Sequence, residues 1–114
     1  MSEHKTTRWK VMADYSCGLW DDEGLGTSPD DEEINASEDF VNRFEAWIDW
    51  YHDKIKGPLD VVSFDAEGRA LAVELKKMVG NGIQVFFTPE ESFLEGYSGP
   101  GIEEIEYPLS TSTL

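Results

Sequence analysis

The fold is decided by residues 37–56, which read SEDFVNRFEAWIDWYHDKIK. Apolar side chains recur there at helical spacing and predict an amphipathic helix with one broad apolar stripe. Because large rings dominate the energetics of protein cores, we expect this stripe to lie at the centre of the molecule. Trp50 points roughly 120° away from the middle of the stripe, which makes it a candidate for a binding surface. The stripe consists of Phe40, Phe44, Trp47, Ile48, Tyr51 and Ile55.

The start of this helix has two alternative caps. Asn35 followed by Glu38 fits a capping box, whereas Ser37 is the competing cap. At the other end, Gly57 and Pro58 stop the helix, because proline cannot continue it. The helix therefore begins within two residues of Ser37 and ends before Gly57.

A second amphipathic helix is predicted over residues 61–79, with Asp60 as its cap. Gly68 lies on its apolar stripe, where glycine costs about 1 kcal/mol relative to alanine in an exposed helix. We interpret Gly68 as the point where the two helices approach each other closely. Asp65 and Arg69 are spaced to pair on the outer flank.

Three stretches are predicted to form strands. Residues 8–16 alternate between apolar and polar, residues 83–88 are β-branched and aromatic, and residues 102–109 carry a shorter apolar pattern. Two antiparallel helices return the chain to the point where it left the sheet, so the second strand is expected to run antiparallel to the first. The predicted fold is a two-layer α+β domain, a small antiparallel sheet of about three strands in the order β-α-α-β-β, covered on one face by two antiparallel helices.

Length and composition indicate one soluble domain. A chain of 114 residues is predicted to form a single domain over residues 1–114, with frayed tails at 1–7 and 110–114. Cys17 is the only cysteine, so no intramolecular disulfide is possible, which suits a reducing compartment. The N-terminus has no secretory apolar run, and no apolar stretch approaches membrane-spanning length. We therefore expect a cytoplasmic protein that does not bind membranes.

The negative charge is large and unevenly distributed. The formal net charge is −15, and no basic residue lies between Lys10 and Arg43 or after Lys77. Such a field repels nucleic acid and anionic membranes and attracts basic proteins, although acidity also simply keeps small proteins soluble. Residues 21–33 form a long acidic loop with glycine and proline breakers, and loops of that length are usually functional or mobile.

No residue pattern indicates catalysis, a cofactor or a metal. His4 and His52 have no second ligand at metal spacing, and Cys17 has no neighbouring base. The acidic runs lack the alternating oxygens and terminal glutamate of a calcium loop. We therefore predict a binding protein and not an enzyme.

Aromatic anchors beside charges are typical of tight interfaces. The predicted partner-binding residues are Trp20, Asp21, Asp22, Glu23, Asp30, Asp31, Glu32, Glu33 and Trp50. The alternative for Trp20 is that it folds back over the sheet edge as part of the core.

Two segments carry a resemblance to a known group. Residues 9–24, WKVMADYSCGLWDDEG, resemble the opening of a group of small acidic bacterial proteins. Residues 64–75, FDAEGRALAVEL, with the strand at 83–87, resemble the second half of the same group. These proteins resemble the immunity proteins of polymorphic toxin systems, which bind and neutralise a cognate toxin. The resemblance covers roughly residues 9–88 and implies a protein partner, with no catalytic residues to carry over.

These observations give a first hypothesis and an alternative. The first is an immunity protein that binds a basic toxin domain, as a monomer or in a one-to-one complex, and occludes its active site without chemistry. The alternative is an acidic regulatory or nucleic-acid-mimicking protein that targets a host enzyme.

Overall fold

The computed structural model describes residues 6–14, 18–53, 60–80, 82–93, 96–99 and 101–106. Within these residues the chain forms strands, two α-helices and one short 3-10 helix, and the class is α+β. In chain order the elements are β1 (Arg8–Val11), β2 (Leu19–Trp20), β3 (Gly26–Thr27), α1 (Glu38–Asp53), α2 (Val61–Val79), β4 (Gln84–Phe87), the 3-10 helix (Glu90–Phe93) and β5 (Glu103–Ile105).

The strands form one mixed sheet in the order β3-β2-β1-β4-β5. β1 and β4 are parallel, with Trp9 opposite Val85, and the other neighbouring pairs are antiparallel. The prediction of an antiparallel first pair, and of an all-antiparallel sheet, was therefore wrong. The number of about three strands was also too low for the described part of the chain.

The parallel pairing follows from the path of the acidic loop. After β3 the chain returns to the start of β1, where the Glu33 carboxylate accepts a hydrogen bond from the Thr6 backbone N–H at 2.8 Å. α1 and α2 then run out and back, so β4 begins at that same end, where Gln84 N donates to Thr7 O at 3.0 Å. The prediction treated residues 21–33 as a loop that stays at one end of the sheet, and this extra crossing reverses the direction of β4.

Ser37 caps α1, since its hydroxyl accepts a hydrogen bond from Phe40 N at 3.1 Å. Asn35, the alternative cap, has a φ of +55° and lies in the connection before the helix. The apolar stripe is buried as predicted, with Phe40, Phe44, Trp47 and Tyr51 in the core. Ile55, Gly57 and Pro58 lie outside the described residues.

The two helices pack closely at Gly68, which confirms that prediction. A Cβ atom built on Gly68 would lie 2.5 Å from Trp47 Cζ2 and 2.9 Å from Phe87 Cε1. The Trp47 indole stacks on Phe64 at a centroid distance of 4.8 Å, and its Nε1 donates to Phe64 O at 3.0 Å. Arg43, one turn before Trp47, binds the later Glu74, so the helices are antiparallel.

α2 begins and ends as predicted, and Asp60 caps it by accepting from Ser63 N at 3.3 Å. The predicted Asp65–Arg69 pair was wrong, because both side chains bind the C-terminal part of the chain instead. Asp65 accepts from the backbone N–H groups that open the 3-10 helix, at 2.8 and 3.0 Å. Arg69 Nη2 binds Glu103 Oε2 at 2.6 Å.

One face of the sheet packs on the helices through Trp9, Val11, Val85 and Phe87, which are all buried. Of the predicted tails, residues 1–5 and 110–114 lie outside the described residues, whereas Thr6 is 5% exposed and bonded to Glu33.

Candidate functional site

The first turn of the acidic segment, residues 21–33, has a defined shape. β2 and β3 flank the turn, in which Asp21 N donates to Leu25 O at 2.9 Å. The Asp21 carboxylate accepts from the backbone N–H groups of Glu23 and Leu25, both at 2.9 Å. Gly24 adopts a φ of +81°, which other residues rarely do. Asp21 therefore shapes the turn through local hydrogen bonds.

Two further carboxylates fasten the segment to the start of β1. Asp22 Oδ2 accepts from the Thr7 backbone N–H and from the Thr7 hydroxyl, both at 3.0 Å. Glu33 accepts from the Thr6 backbone N–H at 2.8 Å and from its hydroxyl at 3.2 Å. Because both carboxylates bind donors far away in the chain, the segment is held near each of its ends.

Asp31 stabilises the second half of the segment. It accepts from the Thr27 hydroxyl at 3.1 Å and from Glu33 N at 2.8 Å. Four of the seven predicted acids therefore form hydrogen bonds within the chain through their carboxylates. The remaining three, whose side chains are exposed on this fixed backbone, are Glu23, Asp30 and Glu32.

An open groove of about 770 Å³ lies between the acidic segment and α1, and we call it the anchor groove. Gly18 is part of its lining, and a Cβ atom there would lie 2.1 Å from Ile48 Cδ1. A larger residue at position 18 would therefore have to displace the Ile48 side chain. Its lining consists of Gly18, Trp20, Gly26, Thr27, Ser28, Pro29, Phe44, Glu45, Ile48 and Asp49.

Trp20 is one of the residues that line the anchor groove, and it is half-buried. Its Nε1 donates to Met12 O at 2.9 Å, so the polar atom of the indole is already satisfied. Trp20 also lines a cavity of about 450 Å³ on the sheet face opposite the helices, which its pairing partner Lys10 lines as well. Trp20 does not belong to the buried core, so the alternative that it forms part of the core was wrong, and its role in partner binding stays a prediction.

Trp50 lies apart from this groove. It is half-buried and packs edge-on against Phe64 of α2, with ring centroids 5.3 Å apart. The structure therefore brings Trp20 and the acidic segment together and places Trp50 at the seam between the helices. Its role in partner binding stays a prediction.

Glu45 and Asp49 are site residues that the sequence analysis did not identify. They lie one helical turn apart on α1, have exposed side chains and line the groove. Like charges at i,i+4 destabilise a helix by a few tenths of a kcal/mol. The spacing alone did not single them out, because Asp49 and Asp53 form a second acidic i,i+4 pair on the same helix.

The cavity on the opposite sheet face differs in charge from the anchor groove. Arg8 and Lys10 line it, together with Met12, Phe86 and Ile102. The Arg8 guanidinium donates to Asp22 O at 3.3 Å and so joins this face to the acidic segment. Arg8, Lys10 and apolar groups therefore share this side of the sheet with Asp21, and the anchor groove lies on the other side.

The shifted pKa values lie on the helices, away from the anchor groove lining. Burial raises the pKa of Asp65, although the N–H groups of Glu90 and Glu91 oppose that effect. Arg43 and Arg69 donate hydrogen bonds to the carboxylates of Glu74 and Glu103, respectively, and these bonds raise the pKa values of the two guanidinium groups. These groups bind the helices to each other and to β5.

No protein-family model, curated protein or solved structure matches this chain. In the part of the chain that the structure describes, no three acidic, histidine or cysteine side chains are grouped to hold a metal ion. No helix among the described residues is long and apolar enough to cross a membrane.

Proposed function

We propose that this chain is a cytoplasmic immunity-type protein that binds a basic toxin domain and neutralises it by covering its active site. The interface comprises the acidic segment and the anchor groove. Inhibition is steric and involves no reaction on this chain. The resemblance of residues 9–24 and 64–75 to small acidic immunity-type proteins supports the choice of a toxin as partner.

The observation that carries the proposal is the fixed shape of the acidic segment. Asp21, Asp22, Asp31 and Glu33 hold its backbone through internal hydrogen bonds. A surface that is ordered before binding loses less conformational entropy when the complex forms. The segment therefore presents its exposed carboxylates to a partner at little ordering cost.

Charge supports a basic partner. The chain carries a net charge of −15, and opposite charges speed diffusional encounter most strongly at low salt. Trp20 and the groove beside the exposed acids provide contact area that holds a complex after encounter. Long-range attraction and short-range packing thus occur on the same side of the molecule.

The proposal predicts that the gene immediately upstream encodes a protein with a C-terminal toxin domain, and the test is binding of this chain to that domain. The triple variant Glu23→Gln, Asp30→Asn and Glu32→Gln removes three exposed charges and leaves the internal hydrogen-bond acceptors intact. We expect its association rate to fall by roughly tenfold at low salt and by less at high salt.

The control variant removes the same number of exposed charges at positions outside the acidic segment, at Glu91 in the 3-10 helix, Glu104 in the edge strand β5 and Glu106 after it. Removing three charges weakens the long-range attraction to a basic partner wherever the charges lie. Beyond that general effect, the association rate of the control variant is expected to stay within about twofold of the wild-type rate. Equal losses of association rate in both variants would show that the acidic segment is not part of the interface.

The absence of a complex and of protection on co-expression would contradict the proposal. Co-purification of a nucleic-acid enzyme instead would favour the alternative that the chain mimics nucleic acid.

A further inference from the structure

We propose that the sheet face opposite the helices holds a binding site for a small aromatic carboxylate. The site is the cavity of about 450 Å³ on that face, which we call the open-face cavity. This inference goes beyond the proposed function and does not rest on it, because the anchor groove lies on the other side of the sheet.

Strand register places a cation between two aromatic residues in the open-face cavity. Lys10 pairs with Trp20 of β2 on one side and with Phe86 of β4 on the other. Paired residues on adjacent strands project from the same face of a sheet, and adjacent strands lie about 4.8 Å apart. All three residues are half-buried and line the cavity. A ligand that contacts the Lys10 ammonium therefore also meets aromatic surface.

The two cations of the cavity are not neutralised by carboxylates of the chain. Among the described residues no carboxylate pairs with the Lys10 ammonium, although the chain contains 24 acids. Arg8 donates to the backbone carbonyl of Asp22, which carries no net charge. Because a partly buried cation without a counter-ion is unfavourable, an anion from outside the chain would stabilise this arrangement. A carboxylate suits both groups, since its two oxygens accept from a guanidinium and an ammonium at once.

Two acids lie near the open-face cavity, and neither cancels its positive charge. Asp21 lines the cavity, but its Oδ1 atom already accepts two backbone N–H groups of its own turn. Glu104 pairs with Phe86, so it lies two strands, about 10 Å, away from Lys10. Its carboxylate accepts from Gln84 Nε2 at 3.4 Å. The lining thus carries two formal positive charges and one negative charge, in a chain whose net charge is −15.

The rest of the lining favours an aromatic body for the ligand. Trp20 Nε1 donates to Met12 O at 2.9 Å, which fixes the indole and satisfies its polar atom. Rings pack favourably on other rings and on thioether sulfur, and Phe86 and Met12 both line the cavity. Ile102, which is 52% exposed, adds apolar surface. The volume lies within the range of sites that enclose small ligands, so the expected ligand is a free, planar carboxylate with one or two rings.

The probe is 2-naphthoate, titrated into the 15N-labelled full chain at physiological salt, where acids more than about 8 Å away are largely screened. 2-Naphthamide is its neutral counterpart, and acetate carries the carboxylate without the rings. The Trp20 indole N–H, assigned with a Trp20→Phe variant, and the amides of Lys10 and Phe86 report on the cavity. We expect saturable shifts at these groups with a dissociation constant on the order of millimolar, and binding of naphthamide and of acetate that is weaker by roughly fivefold or more.

The variant Lys10→Gln removes one cation from the cavity and is expected to bind 2-naphthoate roughly fivefold more weakly, whereas Lys10→Arg keeps the charge and should stay within about threefold of the wild type. Lys77→Gln is the matched control, because it removes one exposed cation from α2, which packs on the other face of the sheet. It is expected to bind like the wild type. Arg8→Gln, at an exposed position, is expected to weaken binding by about threefold and provides the same test if Lys10→Gln fails to fold.

Equal binding of 2-naphthamide or of acetate, equal affinities of Lys10→Gln and Lys77→Gln, or shifts that do not saturate would overturn the inference. Shifts of the same groups when the protein concentration alone is raised would assign this face to a second copy of the chain, and would also overturn it. The titration needs no toxin, so its outcome is independent of the test of the proposed function.

Discussion

The close packing at Gly68 makes Gly68→Ala the most informative single substitution for the fold. The new methyl group would lie 2.5 Å from Trp47 Cζ2 and 2.9 Å from Phe87 Cε1, distances that real Cβ contacts do not show. Neither ring can easily withdraw. Trp47 is 2% exposed, stacks on Phe64 and donates its Nε1 hydrogen to Phe64 O, and Phe87 belongs to the central strand pair.

Two opposing effects set the size of the change. Alanine is favoured over glycine in a helix by about 1 kcal/mol, which by itself would stabilise the variant. Overpacking a core costs about 1–3 kcal/mol, and an indole N–H that loses its buried acceptor costs about 1–3 kcal/mol more. We expect Gly68→Ala to lower the free energy of unfolding by about 2–3 kcal/mol, or the melting temperature by about 8–12 °C at this chain length.

The measurement is urea unfolding followed by tryptophan fluorescence, together with the NMR resonance of the Trp47 indole N–H. Gly82→Ala is the matched control, because Gly82 is exposed and a Cβ atom there meets nothing within 4 Å. The control is expected to change stability by less than about 1 kcal/mol, with stabilisation the expected direction. If Gly68→Ala were as stable as the wild type or more stable, the argument from helix contact would be refuted.

Three other predictions test the interactions around this core. Burial raises the pKa of Asp65, so the folded state holds the proton of this carboxyl more tightly than the unfolded chain does. The protonated group therefore stabilises the fold at low pH. This contribution is lost as the pH rises from the ordinary pKa of aspartate through the raised pKa of the folded state. Asp65→Asn should remove that decline from a series of urea melts between pH 3 and 6, whereas an unchanged slope would assign it to another group. Arg43→Met should cost about 0.5–1 kcal/mol at low salt and less in 1 M salt, because its ion pairs are about one third exposed. Asp31→Ala should cost about 1 kcal/mol and speed amide exchange of Glu33, whereas Asp30→Ala should do neither, and equal effects would contradict the role given to Asp31.

The helices were predictable from sequence because their signals are local and repeated. The stripe of Phe40, Phe44, Trp47 and Tyr51 recurs over about three turns, and Asp60 marks the start of α2. Gly68 was also predictable, since a glycine on an apolar helix face indicates close approach.

The sheet was less predictable because its strands are short and paired at long range. β2 and β3 have two residues each, too few for an alternating pattern to be recognised. The direction of β4 depends on where the acidic segment ends, and that is set by the bonds of Asp22 and Glu33 to Thr7 and Thr6. Such bonds between distant residues leave no periodic signal in the sequence.

Only part of the candidate site was predictable from the sequence, because the rest also depends on contacts between distant residues. Composition identified the acidic segment and Trp20, because charge and aromatic residues are visible without a fold. It did not separate the carboxylates that hold the backbone from the exposed ones, and it missed Glu45 and Asp49. Their place in the groove depends on which side of α1 faces β2 and β3, which only the packed structure determines.

The parallel pairing of β1 with β4 has a consequence for how the chain is made. On one side β1 bonds to β2, which is synthesised soon after it, but its other side stays unpaired until both helices and β4 have left the ribosome. Pairing over such a separation is slow, and an open strand edge invites association with other chains. The ten acids between Lys10 and Arg43 are translated before β4, so unfinished chains carry strong mutual repulsion while their central strand is still exposed.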